Sequence, residues 1–218
     1  MSELKPNMQP LVRGMLEEDI VKFGKFTLKS GKESVAYVNL RDMISFPKLF
    51  DQAIDAYAHT IRESGIRTMS DGTLFRFLEA VPEAATPYGG AVAREVGMPL
   101  LYHRVKAKEH GQPRAVEGRF KEGDEVVLLD DVVTTAGSKL EEAAALADFG
   151  LKTAGVVVLV DREQGGRTEL ESQGMEFTAA MTLSGIAKYA LDEQLAGVTQ
   201  TMYDGLLGEL DTNELGVN

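Results

Sequence analysis

The most regular hydrophobic pattern in the chain lies at residues 47–64, where apolar side chains recur every three or four positions. This spacing matches the period of an α-helix with one buried face. The predicted buried face consists of Phe50, Ala53, Ile54, Tyr57, Ala58 and Ile61. Gly65 follows and is expected to end the helix, and His59 points away from the apolar face, so we expect it at the surface.

Two continuous apolar runs, at residues 126–129 and 156–160, predict strands that are buried on both faces of a parallel sheet. A helix is expected between them, beginning at a capping box formed by Ser138 and Glu141. Its predicted buried face consists of Leu140, Ala143, Ala144 and Ala147. A strand, a helix and a strand within about 35 residues form a βαβ unit, which favours an α/β fold with an open, mostly parallel sheet flanked by helices.

Weaker patterns complete the expected order of elements. Further strands are predicted at 75–81, 100–102 and 175–181, and further helices at 90–96, 183–196 and 199–210. Near the N-terminus, residues 26–28 and 35–40 flank a turn and predict a small β-hairpin. With no internal repeat or linker, the chain is expected to form a single domain: 11–45 around the hairpin, 66–182 for the core sheet, and 183–218 for C-terminal helices and an acidic tail.

Composition excludes several classes of protein. The 218 residues include no cysteine, which rules out thiolate chemistry and cysteine-bound metals and fits a reducing, cytoplasmic setting. A net charge of −11 argues against a general nucleic-acid-binding role. The apolar runs are too short to cross a membrane, and residues 1–10 lack the apolar core of a secretory signal.

Acidic residues dominate the end of the chain. No lysine or arginine follows Lys188, whereas six aspartates and glutamates do. A solvated acidic surface is the expected role of this region.

Candidate chemistry follows the strand at 126–129, because ligands of open α/β sheets bind at the carboxyl ends of the strands. Asp130 and Asp131 could accept hydrogen bonds from a sugar diol or lie near a divalent cation. The next small and hydroxyl residues precede a helix N-terminus, which favours a phosphate group. Those residues are Thr134, Thr135, Ala136, Gly137 and Ser138. Together they indicate a phosphorylated ribose, although a pair of aspartates can also simply cap a turn.

A basic segment at 103–121 stands out in this acidic chain. It contains six lysines and arginines but only two acidic residues, Glu109 and Glu117. Gly111 and Pro113 predict that it is a loop. The cations are Arg104, Lys106, Lys108, Arg114, Arg119 and Lys121. Such a segment can fold over a bound anion and exclude water, or can be an ordinary charged surface loop.

Four ordered segments resemble a known family. Residues 126–138 resemble the phosphoribosyl-pyrophosphate motif of type I phosphoribosyltransferases, with Ala136 in place of the usual glycine. Residues 104–111 resemble the catalytic loop R-K-x-x-K-x-H-G of the orotate phosphoribosyltransferases, with Val105 at its second basic position. Residues 26–41 are similar to that family's N-terminal hood motif, F-x-L-K-S-G and S-x-x-Y-x-x-x-R, and residues 161–166 to its D-R-x-x-G-G segment.

The resemblance implies a type I phosphoribosyltransferase fold with a small hood, at about residues 11–45, that contains the hairpin. It also implies transfer of a phosphoribosyl group from phosphoribosyl pyrophosphate to orotate, in the de novo synthesis of pyrimidine nucleotides. The implied catalytic residues, which act on the leaving pyrophosphate, are Arg104, Lys108 and His110, with Lys106 as a further pyrophosphate contact. Lys29 and Arg162 would orient orotate, with Tyr37 packing on its ring.

In the same reading, Asp130 and Asp131 would bind the ribose and residues 134–138 the 5′-phosphate. Mg2+ is the implied cofactor, held mainly by substrate and water near the two aspartates rather than by a set of protein ligands. The implied partners are the two substrates and a second copy of the chain, a homodimer in which the catalytic loop reaches the neighbouring site. Neither nucleic acid nor a membrane is expected as a partner.

Two alternatives remain at this point. A phosphoribosyltransferase for another base would keep the turn at 126–138 but have no use for Lys29 and Arg162. A regulator that senses phosphoribosyl pyrophosphate would be expected to carry a basic nucleic-acid surface or an added reader domain, and neither is visible in the sequence.

Overall fold

The computed structural model describes residues 4–27, 33–69, 72, 75–104 and 115–210. Two strands pair antiparallel near the N-terminus, and six strands form the main sheet in the spatial order β5-β4-β3-β6-β7-β8. The strands are β1 (Val21–Thr27), β2 (Glu33–Val38), β3 (Phe77–Ala80), β4 (Leu100–Arg104), β5 (Ala115–Glu117), β6 (Glu125–Val133), β7 (Lys152–Asp161) and β8 (Glu176–Thr182). In the main sheet only the edge strand β5 runs antiparallel to its neighbour, so the expected α/β architecture is confirmed.

Helices cover both faces of the main sheet. They are α1 (Gln9–Glu17), α2 (Pro47–Ser64), α3 (Thr86–Val96), α4 (Gly137–Ala147), α5 (Gly166–Ser172), α6 (Leu183–Asp192) and α7 (Gln200–Glu209), with short 3-10 helices at Pro6–Met8 and Leu40–Ser45. In the described ranges, none of these helices has the length and apolar composition needed to cross a membrane.

The two central strands β6 and β7 alternate their side chains between two cores. Val127 and Leu129 face the core formed with α1, α2 and α3, whereas Val126 and Leu128 face the core formed with α4 and α5. All four side chains are fully buried. The prediction that these apolar runs lie inside a parallel sheet is therefore confirmed.

The predicted helix at 47–64 is confirmed at both ends, and Gly65 ends it with a left-handed backbone conformation. His59 is partly exposed and lies 3.1 Å from Glu63 one turn later, as its position off the buried face predicts. Helix α3 begins at Thr86 rather than residue 90, because Pro87 can occupy the first turn of a helix without losing a hydrogen bond. Strand β3 is shorter than the predicted 75–81, and α1, α5 and β5 were not predicted.

The predictions for α4 need correction in two respects. The residue before the helix is Ala136, and no side chain caps the N-terminus, so the Ser138–Glu141 capping box is wrong. Of the predicted apolar face, Leu140 and Ala143 pack in the core, whereas Ala144 and Ala147 are exposed, so half of that face is wrong. The physical reason is that α4 turns Lys139 and Glu142 toward charged side chains on the sheet, as described below.

The predicted N-terminal hairpin is present, with β1 and β2 as its strands and Val21 opposite Val38. It packs against α6 and α7 through a third apolar cluster that includes Ala36, Leu183 and Tyr203. The connection between the strands, residues 28–32, lies outside the described residues. The hood is thus fixed to the rest of the molecule by packing against the C-terminal helices.

Candidate active site

The two adjacent aspartates lie near the C-terminal end of strand β6. The sequence analysis placed Asp130 and Asp131 after the strand. The strand in fact continues to Val133, so both residues belong to it. Both side chains are buried. Lys139 lies with its Nζ 2.6 Å from Asp130 Oδ2, and the same atom donates to the carbonyl oxygen of Val132 at 2.6 Å. The Asp130 carboxylate is therefore held in place by a buried ion pair.

The second carboxylate is less well compensated. Burial, and next the negative charge of Asp130, raise the pKa of Asp131 to about 6, although the ammonium group of Lys139 opposes the shift. Burial, and next the negative charge of Asp131, raise the pKa of Tyr88 to about 12. A hydroxyl donor or a cation placed beside Asp131 would relieve this repulsion.

The residues after β6 form an accessible turn that opens helix α4. Thr135, Gly137 and Ser138 are exposed, whereas Ala136 is buried beneath them. A methyl group built on Gly137 would meet no atom within 4 Å, so the space in front of it is open. The Ala136 N–H donates to the carboxylate Oε2 of Glu169 at 3.0 Å. That amide is therefore already paired, and the backbone donors that remain for an anion are those of the exposed Gly137 and Ser138 at the start of the helix.

A second segment, residues 161–166, packs directly on this turn. The Arg162 N–H donates to the Val133 carbonyl at 3.0 Å, and the Gly166 N–H donates to the Thr134 carbonyl at 3.1 Å. A methyl group on Gly166 would lie 2.5 Å from Val133 Cγ2 and 2.9 Å from Thr134 O. The contact therefore requires glycine at this position, and it brings Arg162 beside residues 130–138.

Arg162 is half-buried, and two nitrogen atoms of its guanidinium group, Nε and Nη2, are shielded from solvent. Among the described residues, neither its Nε nor its Nη2 has a hydrogen-bond acceptor. Burial lowers the pKa of Arg162, and the negative charge of Glu209 opposes this shift. A buried guanidinium edge with unpaired donors is costly in the free protein, and a planar carboxylate would pair with both donors at once.

The remaining predicted residues are placed less closely. Tyr37 lies on β2 of the hood, 41% exposed, with its ring 5.7 Å from that of Phe26. Arg104 ends β4, two strands away from β6, and its Nη2 lies 3.1 Å from Glu117 Oε1 on β5. Lys29, Lys106, Lys108 and His110 lie outside the described residues.

Comparison with known proteins gives this geometry a family. Residues 48–176 match the model of the phosphoribosyl transferase domain. An orotate phosphoribosyltransferase from Pyrococcus furiosus is 40% identical over 168 residues, which cover 77% of this chain and 88% of that protein. The chain belongs to the orotate phosphoribosyltransferases.

Solved structures agree with this family. An orotate phosphoribosyltransferase from Aeropyrum pernix superposes with a TM-score of 0.68 at 27% identity, covering 82% of this chain and 96% of that one. A UMP synthase from Leishmania donovani superposes with a TM-score of 0.75 at 32% identity, covering 93% of this chain and 42% of that longer one. Residues 126–138, which comprise most of β6 and the turn after it, therefore lie in a phosphoribosyltransferase fold, and we call that turn the phosphoribosyltransferase turn.

The sequence analysis missed a group of buried ionisable side chains on β3, β4 and α4. His103, assigned to the basic loop, is buried on β4, and its Nδ1 is hydrogen-bonded to Glu142 on α4. Glu79 on β3 is also fully buried. Burial, and then the charges of Glu142 and Asp130, raise the pKa of Glu79 to about 9. A pKa of about 9 favours the protonated form of Glu79 at neutral pH.

One signal could have revealed part of this group. Lys139 and Glu142 are three positions apart, which places both on one face of α4, and Leu146 continues that face. A charged pair in line with a buried leucine indicates a helix that faces charged groups on the sheet. The partners Glu79 and His103 come from other strands and carry no such signal.

Proposed function

We propose that this chain transfers the phosphoribosyl group of phosphoribosyl pyrophosphate to orotate, giving orotidine 5′-monophosphate and pyrophosphate in pyrimidine nucleotide synthesis. The observation that carries the proposal is one edge of the Arg162 guanidinium group, whose Nε and Nη2 have no acceptor among the described residues and which lies on a segment bonded to the turn after β6. Orotate is a planar base that carries a carboxylate, and this group matches the two free donors. The identity to orotate phosphoribosyltransferases supports the same substrate.

The phosphosugar half of the site consists of Asp130, Asp131 and residues 134–138. The 5′-phosphate is bound by the exposed turn and by the first amides of α4, where the helix dipole favours negative charge. The ribose hydroxyls donate to the aspartates, with Asp130 fixed in place by Lys139. The sugar is thereby held at both ends, so that its anomeric carbon takes a fixed position.

The base half of the site consists of Arg162 and the hood residues Lys29 and Tyr37. Arg162 binds the orotate carboxylate, and the exposed ring of Tyr37 packs on the pyrimidine ring. Residues 161–166 are bonded to the phosphosugar turn. Orotate is therefore oriented relative to the ribose by contacts within one protomer.

In the reaction, the bond from the anomeric carbon to the pyrophosphate oxygen breaks, a bond to the ring nitrogen of orotate forms, and the proton of that nitrogen is released to the departing pyrophosphate or to water. Negative charge accumulates on the departing pyrophosphate, so cations fixed near it lower the barrier without any covalent intermediate. The proposed cations are Arg104, Lys106, Lys108 and His110. Of these, Arg104 opens the basic segment from the end of β4.

Mg2+ is the proposed cofactor. Asp130 and Asp131 fit such an ion, because two neighbouring carboxylates, one with a raised pKa, gain from a nearby divalent cation. Among the described residues, no group of three or more acidic or histidine side chains could hold a metal ion. We propose that substrate and water supply most of the ligands of the ion. When bound, Mg2+ would offset negative charge on the pyrophosphate.

A homodimer in the cytoplasm is the proposed state of the enzyme. Leu100 and Tyr102 are large exposed side chains on the strand that leads into the basic segment, which supports an interface near the catalytic loop. The absence of cysteine supports a reducing compartment. Sedimentation at several protein concentrations would test the dimer.

The test of the activity is pyrophosphate release from phosphoribosyl pyrophosphate and Mg2+ with one of three bases. We expect release with orotate, and at least about 100-fold slower release with uracil, which lacks the carboxylate that pairs with Arg162. Adenine serves as the purine arm. Release with adenine but not with orotate would overturn the proposed substrate and leave a phosphoribosyltransferase for another base.

A further inference from the structure

The last helix of the described chain ends on a carboxylate that is bonded to the hood. Glu209 Oε1 accepts a hydrogen bond from the Val35 N–H at 2.8 Å, and Glu209 Oε2 accepts one from the Ser34 hydroxyl at 2.8 Å. Both donors lie at the start of β2, immediately after residues 28–32. The C-terminal acids are therefore not all the solvated surface that the sequence predicts, since this one is a structural contact.

Helix α7 is also packed tightly against the same strand. Tyr203 and Leu206 are buried in the cluster that contains Ala36 of β2 and Leu183 of α6. Position 205 faces the same strand, since a methyl group built on Gly205 would lie 3.4 Å from Val35 Cγ1, in van der Waals contact. Helix α7 thus fastens β2 to α6.

Helix α6 in turn is bonded to the segment that carries Arg162. The carboxylate of Glu163 accepts from both the N–H and the hydroxyl of Ser184, each at 2.8 Å, at the start of α6. The Glu163 N–H donates to Asp161 Oδ1 at 2.8 Å, which fixes the backbone on both sides of Arg162. A continuous series of contacts therefore runs from Arg162 through α6 and α7 to the hood.

Glu209 also acts on Arg162 through its charge. Burial disfavours the charged form of Arg162 and lowers its pKa, and Glu209 is the group whose negative charge opposes that shift. One carboxylate thus makes hydrogen bonds with one wall of the base half and attracts the guanidinium group of the other wall.

We propose that Glu209 is a positioning residue for orotate, which holds the start of β2 at the separation from Arg162 that the base requires. Glu209 acts through Ser34 and Val35, and Tyr37 follows them on the same strand. The inference rests on the proposed activity, because it assigns Glu209 to the base half of that site.

The experiment measures pyrophosphate release by the full chain and by three variants, with separate titrations of orotate and phosphoribosyl pyrophosphate. Glu209→Ala removes both bonds to the hood, and we expect the KM for orotate to rise about tenfold while the KM for phosphoribosyl pyrophosphate stays within about twofold. Glu209→Gln keeps an acceptor for Val35, and its amide can donate to the Ser34 oxygen, so the KM for orotate should stay within about threefold of the unmodified chain. Ser34→Ala removes one bond, and we expect an increase of about threefold.

The matched control is Asp204→Ala, which removes an exposed carboxylate of the same helix that accepts from Gln200 at 2.8 Å. We expect both KM values to stay unchanged. Equal increases in both KM values for Glu209→Ala, or an equal effect of Asp204→Ala, would overturn the proposal. Ser34→Ala carries the same test if Glu209→Ala does not fold.

Hydrogen exchange separates this proposal from the activity on which it rests. Loss of the Glu209 bond should speed exchange of the Val35 amide at least about tenfold in Glu209→Ala, and Asp204→Ala should leave it unchanged. Unchanged exchange in Glu209→Ala means that Glu209 does not hold the hood. Failure of the unmodified chain to release pyrophosphate with orotate overturns the proposed activity instead. In that case the exchange result still decides whether Glu209 holds the start of β2.

Discussion

The phosphosugar half and the base half of the site are assembled in different ways. The first comes from one continuous stretch at the end of β6, where a strand, a turn and a helix follow each other directly. The second combines the hood, the segment after β7 and the last helix, and its contact between Ser34 and Glu209 joins residues 175 positions apart. Local sequence therefore determines the phosphosugar half, whereas the base half depends on tertiary packing.

The two halves also differ in their charges. In the phosphosugar half, Asp130 is already paired with a buried lysine. In the base half, two donors of the Arg162 guanidinium group have no acceptor among the described residues. Asp130 is thus paired within the described fold, whereas the Nε and Nη2 donors of Arg162 are not paired there, so changes in each half should have separable effects.

Arg162→Ala is expected to show the largest difference between the effect on orotate and the effect on phosphoribosyl pyrophosphate. Loss of two charge-assisted hydrogen bonds should lower kcat/KM for orotate by about 1000-fold, or about 4 kcal/mol. The dissociation constant of phosphoribosyl pyrophosphate should stay within about threefold, since the phosphosugar half is intact. Steady-state kinetics and calorimetry measure the two values.

The control is Arg94→Ala, at an exposed position on α3. It should change neither kcat/KM for orotate nor the dissociation constant of phosphoribosyl pyrophosphate. If Arg162→Ala weakened phosphoribosyl pyrophosphate binding as much as it lowered kcat/KM for orotate, the two halves would be energetically coupled, against this prediction.

Lys139→Met tests the opposite half. It leaves the buried Asp130 without its cation, so the free energy of unfolding should fall by about 3–5 kcal/mol. The same change at Lys188 breaks an exposed pair with Asp192, one turn apart, and should cost at most about 0.5 kcal/mol. Urea denaturation measures both, and similar losses in the two variants would mean that burial of the Lys139 pair adds nothing.

Glu79→Gln tests the buried support of the phosphosugar half. The folded pKa of Glu79 is raised to about 9, so the folded state retains a proton that the unfolded state loses at about pH 4.5. Between these values the unmodified chain should lose up to about 1.4 kcal/mol of stability per pH unit relative to the variant. Urea denaturation at pH 6, 7 and 8 measures the difference, and parallel curves would contradict the shifted pKa.

The smallest effect concerns Asp131. Because its pKa is raised to about 6, the carboxylate needed by the ribose is lost as the pH falls through that value. Affinity for phosphoribosyl pyrophosphate should drop up to about tenfold per pH unit below pH 6 and be level above it. Asp131→Asn, measured over the same range, reports the titration of the ligand alone, so an identical profile in the variant would exclude Asp131 as the cause.

The contrast between the halves also explains what could be predicted from the sequence. Asp130, Asp131 and residues 134–138 were found because strand, carboxylates, small residues and helix are contiguous, and the structure places them together. The position of Arg162 beside them was expected only from the resemblance, since the contact depends on a backbone approach at Gly166.

The missed residues have a common physical reason. Lys139 and Glu142 carry charge, so hydrophobicity places them at the surface, yet each meets an opposite or hydrogen-bonding group inside the fold. The bond between His103 and Glu142 joins residues 39 positions apart on different elements. Glu209 was assigned to a solvated surface for the same reason. Such burial depends on tertiary partners and leaves no local pattern.

The hairpin of β1 and β2 forms its own two-stranded sheet among the described residues, apart from the six-stranded sheet. Inserting or deleting residues between these strands would therefore shift no register in the larger sheet. A library that varies residues 28–32 in length and composition can be screened for acceptance of other pyrimidine acids on one unchanged scaffold. Ser34 and Glu209 should stay fixed in every member of that library.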